Sequence, residues 1–211
     1  MLHKETVEPA TLALIRALQA DPVFHDFSLV GGTALSLQIG HRISLDIDVF
    51  TRNPFNAQEM VAYLEKNYGF ALQFMHHNTL KGFIKGIFID MLQHDYPWVS
   101  DPVKEEGMIM ASLADIAAMK LNAISGNGTR AKDFVDIYFL LKKYSFGGLI
   151  GFYKEKYSER NDFHVIKSLT YFDDIIEENW PNLLLEKELT LNAVKQTLIL
   201  HRDQFLKEKL K

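Results

Sequence analysis

An Asp-x-Asp pair inside an apolar strand pattern is the feature that most constrains this chain. Residues 45–50 alternate apolar and acidic side chains, and a period of two is typical of a β-strand. Asp46 and Asp48 would then project from one face, while Leu45 and Ile47 would point into a core. Two carboxylates on one face repel each other, and a divalent cation offsets that repulsion. We therefore expect a Mg²⁺ or Mn²⁺ site on a folded sheet.

A third carboxylate interrupts another apolar run. Asp90 stands in the middle of the predicted strand 87–93 and completes an acidic cluster if that strand lies beside 45–50. The alternative is a strand-end aspartate that faces solvent. Two cations roughly 4 Å apart can activate an attacking oxygen and stabilise a leaving one. Three carboxylates on neighbouring strands therefore favour transfer chemistry at phosphorus.

A glycine pair precedes the acidic strand. Gly31 and Gly32 follow a short predicted strand over 27–30 and come before a predicted helix over 33–39. Glycine lets the backbone turn sharply and approach a ligand closely. The free N–H groups at the start of the helix suit a phosphate. The glycine pair is stronger evidence for a phosphate site because the acidic strand follows it after a short spacer.

The rest of the chain predicts an α+β fold in which a mixed half precedes a helical half. Residues 70–76, 79–84 and 87–93 read as an antiparallel meander. Helices are predicted over 9–20, 57–68, 113–125 and 130–144, and over 147–211 with breaks near 145–148, 161 and 180–181. Within the last segment, 190–210 reads as an amphipathic helix packed on its domain. We expect a small mixed sheet flanked by helices over 1–110 and a helical region over 111–211.

Composition excludes several classes of protein. The chain has no cysteine, so disulfides and Cys-ligated zinc are excluded. No apolar run reaches the roughly 18 residues of a membrane span, and no signal peptide is evident, so we expect a cytoplasmic protein without a membrane partner. The net charge is −4, whereas a dedicated nucleic-acid binder usually carries a basic excess. Basic residues nevertheless dominate 120–167, which leaves a local basic surface open.

Two separated blocks resemble one protein family. The string from Gly31 to Phe50, GGTALSLQIGHRISLDIDVF, is similar to the AbiEii/AbiGii toxin branch of the polymerase-beta-type nucleotidyltransferases. That branch has a Gly-Gly-Thr-Ala-Leu start and an Arg-x-Ser-x-Asp-hydrophobic-Asp-hydrophobic-Phe ending. The segments 115–123 and 130–137 resemble its two downstream helices. The resemblance covers about residues 25–145.

The resemblance implies a polymerase-beta-like nucleotidyltransferase core that moves a nucleoside monophosphate from an NTP to an acceptor hydroxyl. The acceptor would be RNA such as a tRNA 3′ end, and the protein would be the toxin of a type IV toxin–antitoxin system with a cognate antitoxin. The implied metal ligands and catalytic residues are Asp46, Asp48 and Asp90. The implied nucleotide-binding residues are Gly31, Gly32, Thr33, Ser44, Lys120, Asp133 and Asp136, with Lys120 on the triphosphate.

Several alternatives stay open. The acceptor could be a small molecule, as for antibiotic-modifying nucleotidyltransferases, or the chain could be a catalytically inactive nucleotide-binding or interaction module. A transition-metal site is a further alternative, from His76, His77, His94 and Asp95 near strand ends. Four aromatic residues interleave with three cations and indicate either an RNA-stacking surface or ordinary core residues beside solvated lysines. These are Phe152, Tyr153, Tyr157 and Phe163 with Lys154, Lys156 and Arg160.

Overall fold

A seven-stranded mixed sheet carries the predicted acidic residues. The computed structural model describes residues 1–209 and divides into two compact units. The first unit comprises Met1–Pro97 and Asp101–Ala111, and it contains the sheet. The second unit comprises Trp98–Ser100 and the chain from Ser112 onward, and it contains no strand of the sheet within the described residues. The predicted α+β class, a mixed sheet with flanking helices followed by a helical region, is confirmed.

The first unit alternates helices with strands before it becomes a meander. Its helices are α1 (Pro9–Ala20), α2 (Gly31–Ile39) and α3 (Ala57–Tyr68). Its strands are β1 (Ser28–Leu29), β2 (Ile47–Thr51), β3 (Phe70–His76), β4 (Thr79–Ile84), β5 (Ile87–Gln93), β6 (Val103–Glu105) and β7 (Met108–Met110). The strand order is β3-β4-β5-β2-β1-β7-β6. Only β2–β5 and β1–β7 are parallel among the pairs of this sheet.

Local sequence explains where the site-bearing elements begin and end. The Asn56 side chain accepts hydrogen bonds from the N–H groups of Gln58 and Glu59, which caps α3. Gly69 ends α3 in the left-handed conformation, as glycine does at many helix ends. Helix α2 is buried along almost its whole length, because its residues are small or apolar on every side. It therefore lies inside the first unit and holds the glycine pair rigidly.

The predicted meander and the helices at 9–20 and 57–68 match the structure, but some boundaries were wrong. The acidic strand begins at Ile47 rather than Leu45, so Asp46 precedes it. Leu45 was predicted to point into the core, yet 58% of its surface is exposed. Helix α2 begins at Gly31 rather than Thr33, because glycine tolerates the positive φ of that first position.

The hairpin formed by β6 and β7 was missed because each strand has only three residues. Glu106 and Gly107 connect these strands, and both have positive φ values. Two positive φ values in a row are typical of a tight type I′ hairpin turn. The Glu106-Gly107 pair could therefore have indicated a hairpin turn. The strands on either side were too short, however, for alternation of apolar and polar residues to predict them.

The second unit is helical. Its helices are α4 (Leu113–Gly126), α5 (Ala131–Leu140), α6 (Phe146–Lys156), α7 (Asp162–Ser168) and α8 (Leu191–Lys209). The Ser112 side chain caps α4 as predicted, whereas α5 ends at Leu140 rather than at Tyr144. Residues 170–190 contain only one short 3-10 helix, so their predicted helices were wrong. The predicted helix 190–210 is observed as far as Lys209, and residue 210 lies outside the described residues.

Helix α8 packs through Val194 and Leu198, which are fully buried. Its neighbours Ile199, Leu200 and Leu206 remain exposed. The helix therefore packs on its unit as predicted, but apolar side chains also lie on its exposed side, so the predicted division into an apolar and a polar face is not observed. Among the described helices, none is long and apolar enough to cross a bilayer.

Candidate active site

Asp48 and Asp90 lie opposite each other on adjacent parallel strands. The register of β2 and β5 pairs Asp48 with Asp90 and pairs Ile47 with Ile89. Residues directly opposite each other project to the same face, and consecutive residues alternate between faces. Both isoleucines are buried, so the two carboxylates occupy the other face. The strand that carries Asp90 thus lies where the sequence placed it, beside the Asp-x-Asp strand.

Asp46 lies in the loop that leads into β2. The Thr33 hydroxyl donates to the backbone carbonyl of Asp46, and its oxygen lies 2.9 Å from the Ser44 hydroxyl, which can donate to it. Thr33 and Ser44 are both buried. These two hydroxyls hold the loop in place, so the structure gives them a supporting role next to Asp46.

The first turn of α2 approaches Asp48 closely. The Val30 N–H donates to the Asp48 carbonyl at 2.9 Å, and Gly31 follows with φ +67°. A methyl group added at Gly31 would overlap the Asp48 carboxylate, and one added at Gly32 would overlap the buried Arg42 guanidinium. Both glycines are therefore required by the space around them, and Gly31 also by its backbone conformation.

Asp90 has one engaged oxygen and one unsatisfied oxygen. Its Oδ2 accepts from the Lys81 ammonium at 2.7 Å. Its Oδ1 is buried and has no hydrogen-bond donor anywhere in residues 1–209. Leaving a buried carboxylate oxygen unpaired is costly, and such an atom in a native structure often marks a functional or ion-binding position. Lys81 was not singled out by the sequence analysis, because a lone lysine on a short strand carries no signal.

The residues predicted to contact the triphosphate form an ion network within the second unit. The Lys120 ammonium lies 2.6 Å from Asp133 Oδ1 and 2.6 Å from Asp136 Oδ2. Arg130 adds a 2.7 Å contact to Asp133 Oδ2. Lys120, Asp133 and Asp136 are all buried, so this network contributes to the packing of α4 against α5. Their role in nucleotide binding stays a prediction.

Two alternatives from the sequence find no support. Tyr153, Tyr157 and Lys156 are buried and form core, although Phe163 of the same segment is exposed, so the aromatic residues do not form one stacking surface. Two of the histidines near the strand ends lie beside aromatic rings, His94 against Phe50 at 5.4 Å and His76 against Phe74 at 6.5 Å between ring centroids. Across the described chain, no three His, Cys, Asp or Glu side chains form a group that could hold a metal ion, and this includes Asp46, Asp48 and Asp90.

A Gly31→Ala variant tests the close approach of α2 to Asp48. We expect it to lower the free energy of unfolding by about 1–3 kcal/mol, because alanine is strained at positive φ and its methyl group displaces the carboxylate. Gly69→Ala is a matched control, since Gly69 has the same φ of +67° but open space around it. In urea titrations both variants should be destabilised, and Gly31→Ala by more. Equal losses would show that the contact with Asp48 carries no cost.

Comparisons with known proteins agree with this geometry. The model of the family described as nucleotidyl transferase AbiEii toxin, type IV TA system, matches residues 13–97 and 87–208. An uncharacterised protein from Aquifex aeolicus is 34% identical over 167 residues, which is 76% of this chain and 81% of that protein. A Helicobacter pylori crystal structure with a provisional assignment as a nucleotidyltransferase shares the fold, at TM-score 0.58 and 22% identity, over 99% of this chain and 96% of that one.

A second Helicobacter pylori structure shares the fold at TM-score 0.52 and 20% identity, over 98% of this chain and 93% of that one. The family model spans most of the chain and includes both motif blocks. The chain therefore belongs to the nucleotidyl transferase AbiEii toxin family, and it is a nucleotidyltransferase with a polymerase-beta-like fold.

Proposed function

We propose that this enzyme transfers a nucleoside monophosphate from an NTP to the 3′ hydroxyl of an RNA such as tRNA, with the help of a divalent cation. The observation that carries the proposal is the pairing of Asp48 with Asp90 beside the first turn of α2. This arrangement brings two carboxylates next to a helix start with backbone N–H groups. Such a combination can hold a cation and triphosphate oxygens together.

The donor set fits Mg²⁺ or Mn²⁺. Hard cations take oxygen ligands, and Mg²⁺ is commonly held by one or two carboxylates together with waters and substrate phosphates. Asp48 and Asp90 supply such carboxylates, and the buried Asp90 Oδ1 accepts no hydrogen bond within the described chain. We propose Asp46 as a third ligand, as the family resemblance implies. A bound cation would stabilise the charge on the triphosphate and on the leaving pyrophosphate.

We assign separate roles to the predicted site residues. Asp90 Oδ1, which no donor in the described chain satisfies, is suited to accept the proton of the acceptor hydroxyl. We place the phosphates at the backbone of Gly31 and Gly32, with Thr33 and Ser44 supporting the loop that presents Asp46. The assignment of Lys120, Asp133 and Asp136 to the nucleotide rests on the family resemblance. Catalysis in such a site is mostly positioning and charge stabilisation.

The biological role we propose is that of a toxin controlled by an antitoxin protein. The support is the description of the matching family, which names a toxin of type IV toxin–antitoxin systems. The site itself needs only an NTP and an acceptor hydroxyl. The antitoxin therefore belongs to regulation rather than to the chemistry, and we place both proteins in the cytoplasm, where NTPs are available.

Lys81 competes with any cation for Asp90. We expect Lys81→Met to bind Mn²⁺ about 1.4- to fivefold more tightly without NTP, because the partly exposed ion pair is worth roughly 0.2–1 kcal/mol. Lys104→Met is a control with the same change of charge on β6, at the other edge of the sheet. Electron paramagnetic resonance of free Mn²⁺ gives the dissociation constants. Unchanged or weaker binding by Lys81→Met would contradict a cation site at Asp90.

The proposed function is tested by offering the purified enzyme each of the four α-labelled NTPs with Mg²⁺ and three acceptor samples. These are total tRNA, tRNA whose 3′ end has been oxidised to remove the hydroxyl, and a set of aminoglycosides. We expect label only in intact tRNA. Label in an aminoglycoside would establish the small-molecule alternative, and no transfer to any acceptor would favour an inactive module.

A further inference from the structure

A row of side chains crosses the sheet from Asp48 to the outermost strand. The register places Asp90 opposite Asp48, Lys81 opposite Asp90, and Phe74 opposite Lys81. Residues paired in this way share one face. Neighbouring strands are about 4.8 Å apart, so three steps put Phe74 about 14 Å from Asp48. The face that holds the carboxylates therefore continues without interruption to β3, at the edge of the sheet.

Aromatic rings cover this part of the face. Phe83 pairs with Phe88 in the next row, and their rings meet edge to face at 5.4 Å. The rings of Phe74 and His76 are nearly parallel, at 16°, with centroids 6.5 Å apart. Phe74 and Phe83 are 48% and 39% exposed. Exposed apolar side chains that lie on one face often mark an interaction surface.

On β4 and β5, the opposite face is ordinary core. Leu80, Ile84, Ile89 and Met91 alternate with the exposed residues and are buried. The rings of Phe74, Phe83 and Phe88 therefore lie on the face of the sheet opposite the core. They share the face of the Asp48 and Asp90 carboxylates, which also carries the Lys81 ammonium.

We propose that this face, defined by Phe74, His76, Lys81, Phe83 and Phe88, binds the single-stranded 3′ end of the RNA acceptor; this inference rests on the proposed function. An acceptor hydroxyl must reach Asp48 and Asp90, so the molecule that carries it must lie on the surface next to them. Unpaired bases stack on aromatic rings, and phosphates pair with lysine. A length of about 14 Å accommodates roughly four stacked nucleotides at 3.4 Å each.

The small number of cations predicts how this binding responds to salt. Lys81 and the exposed turn residue Lys85 are the lysines on these strands. Two phosphate contacts to a single strand give a slope of about −1.4 for log affinity against log salt concentration. Binding that depends mainly on stacking is compatible with the net charge of −4, whereas a phosphate-driven binder would show a steeper slope.

The test is fluorescence anisotropy of a labelled eight-nucleotide single-stranded RNA with a free 3′ hydroxyl, with Mg²⁺ and without NTP. We expect Phe74→Ala and Phe83→Ala each to weaken binding roughly 5- to 150-fold, the range for loss of one base-stacking ring. Met75→Ala is the matched control. Met75 is 40% exposed on the same strand, but it pairs with the buried Leu80 and so projects to the other face. A blunt RNA duplex should bind less tightly than the single strand.

Wild-type affinity in Phe74→Ala and Phe83→Ala would overturn the inference, as would an equal loss in Met75→Ala. A change of sedimentation in these variants without a change in RNA affinity would also overturn it, because the face would then be a protein interface. Mg²⁺-dependent NTP binding by the same proteins separates this inference from the proposed function. If NTP is bound and transferred to a small molecule while RNA is not bound through these rings, only the RNA inference fails.

Discussion

Asp48→Asn should reduce nucleotidyl transfer on the order of 10³-fold, the size of effect seen when one charge-stabilising group is removed from an active site. The amide keeps the shape of the side chain but removes its negative charge and places an N–H₂ group where a cation would bind. The backbone carbonyl of Asp48 still accepts from Val30, so the contact with α2 is preserved. Single-turnover incorporation of labelled nucleotide gives the rate.

The fold should tolerate this substitution. Asp48 and Asp90 are like charges on one face, and removal of one relieves their repulsion. We expect the variant to remain folded in urea titrations without metal, so that a loss of transfer reports on the site rather than on unfolding. Asp95→Asn is the control, because Asp95 is an exposed acid in the loop after β5. A transfer rate for Asp48→Asn within tenfold of the wild-type rate would exclude Asp48 from the catalytic site.

The sequence predicted the parts of this site that depend on short-range patterns. The meander of β3, β4 and β5 was predicted at its observed boundaries, because Asn78 and the Lys85-Gly86 pair punctuate three apolar runs. The position of Asp90 could be expected from an acid in the middle of such a run. The glycine pair, followed at the right distance by the Asp-x-Asp segment, was specific enough to indicate the family.

The sequence did not predict features that depend on register. Lys81 pairs with Asp90 only because β4 and β5 align in one particular way, and the row that ends at Phe74 includes a register shift between Leu72 and Phe74. A one-residue slip would move each of these side chains to the other face. Asp46 was predicted to lie in a strand because residues 45–50 alternate apolar and acidic side chains. That pattern does not show that the Thr33 hydroxyl, rather than a neighbouring strand, binds the backbone carbonyl of Asp46.

Buried charges escaped the sequence analysis for a related reason. Lys156 was grouped with solvated lysines, together with Lys154 on the same helix, which is indeed exposed. The structure instead buries Lys156 completely and places its ammonium 2.8 Å from Asp115, which is also fully buried. A lysine is buried only where another segment supplies its partner, and that partner lies 41 residues away. Periodicity within one helix contains no information about such a pair.

Lys156→Met should be among the most destabilising single substitutions in the second unit, with a loss of about 3–5 kcal/mol in the free energy of unfolding. The loss arises because the Asp115 carboxylate would stay buried without its cation. Asp115 also accepts from the N–H groups of Val99 and Ser100 and from the Ser112 hydroxyl. These bonds hold the carboxylate in place, so it cannot turn toward water. Lys156 also lies over the Trp98 ring, at 4.7 Å, and that contact would be lost.

Urea unfolding of a small set of variants separates the buried charge from the lost packing. Lys154→Met on the same helix should cost less than about 0.5 kcal/mol, because its pair with Asp162 is exposed and 3.5 Å long. The double variant Lys156→Met with Asp115→Asn removes both charges and should be more stable than Lys156→Met alone. If the double variant were the less stable of the two, the cost would come from lost packing and hydrogen bonds. The pair would then stabilise the fold through its geometry rather than through its charge.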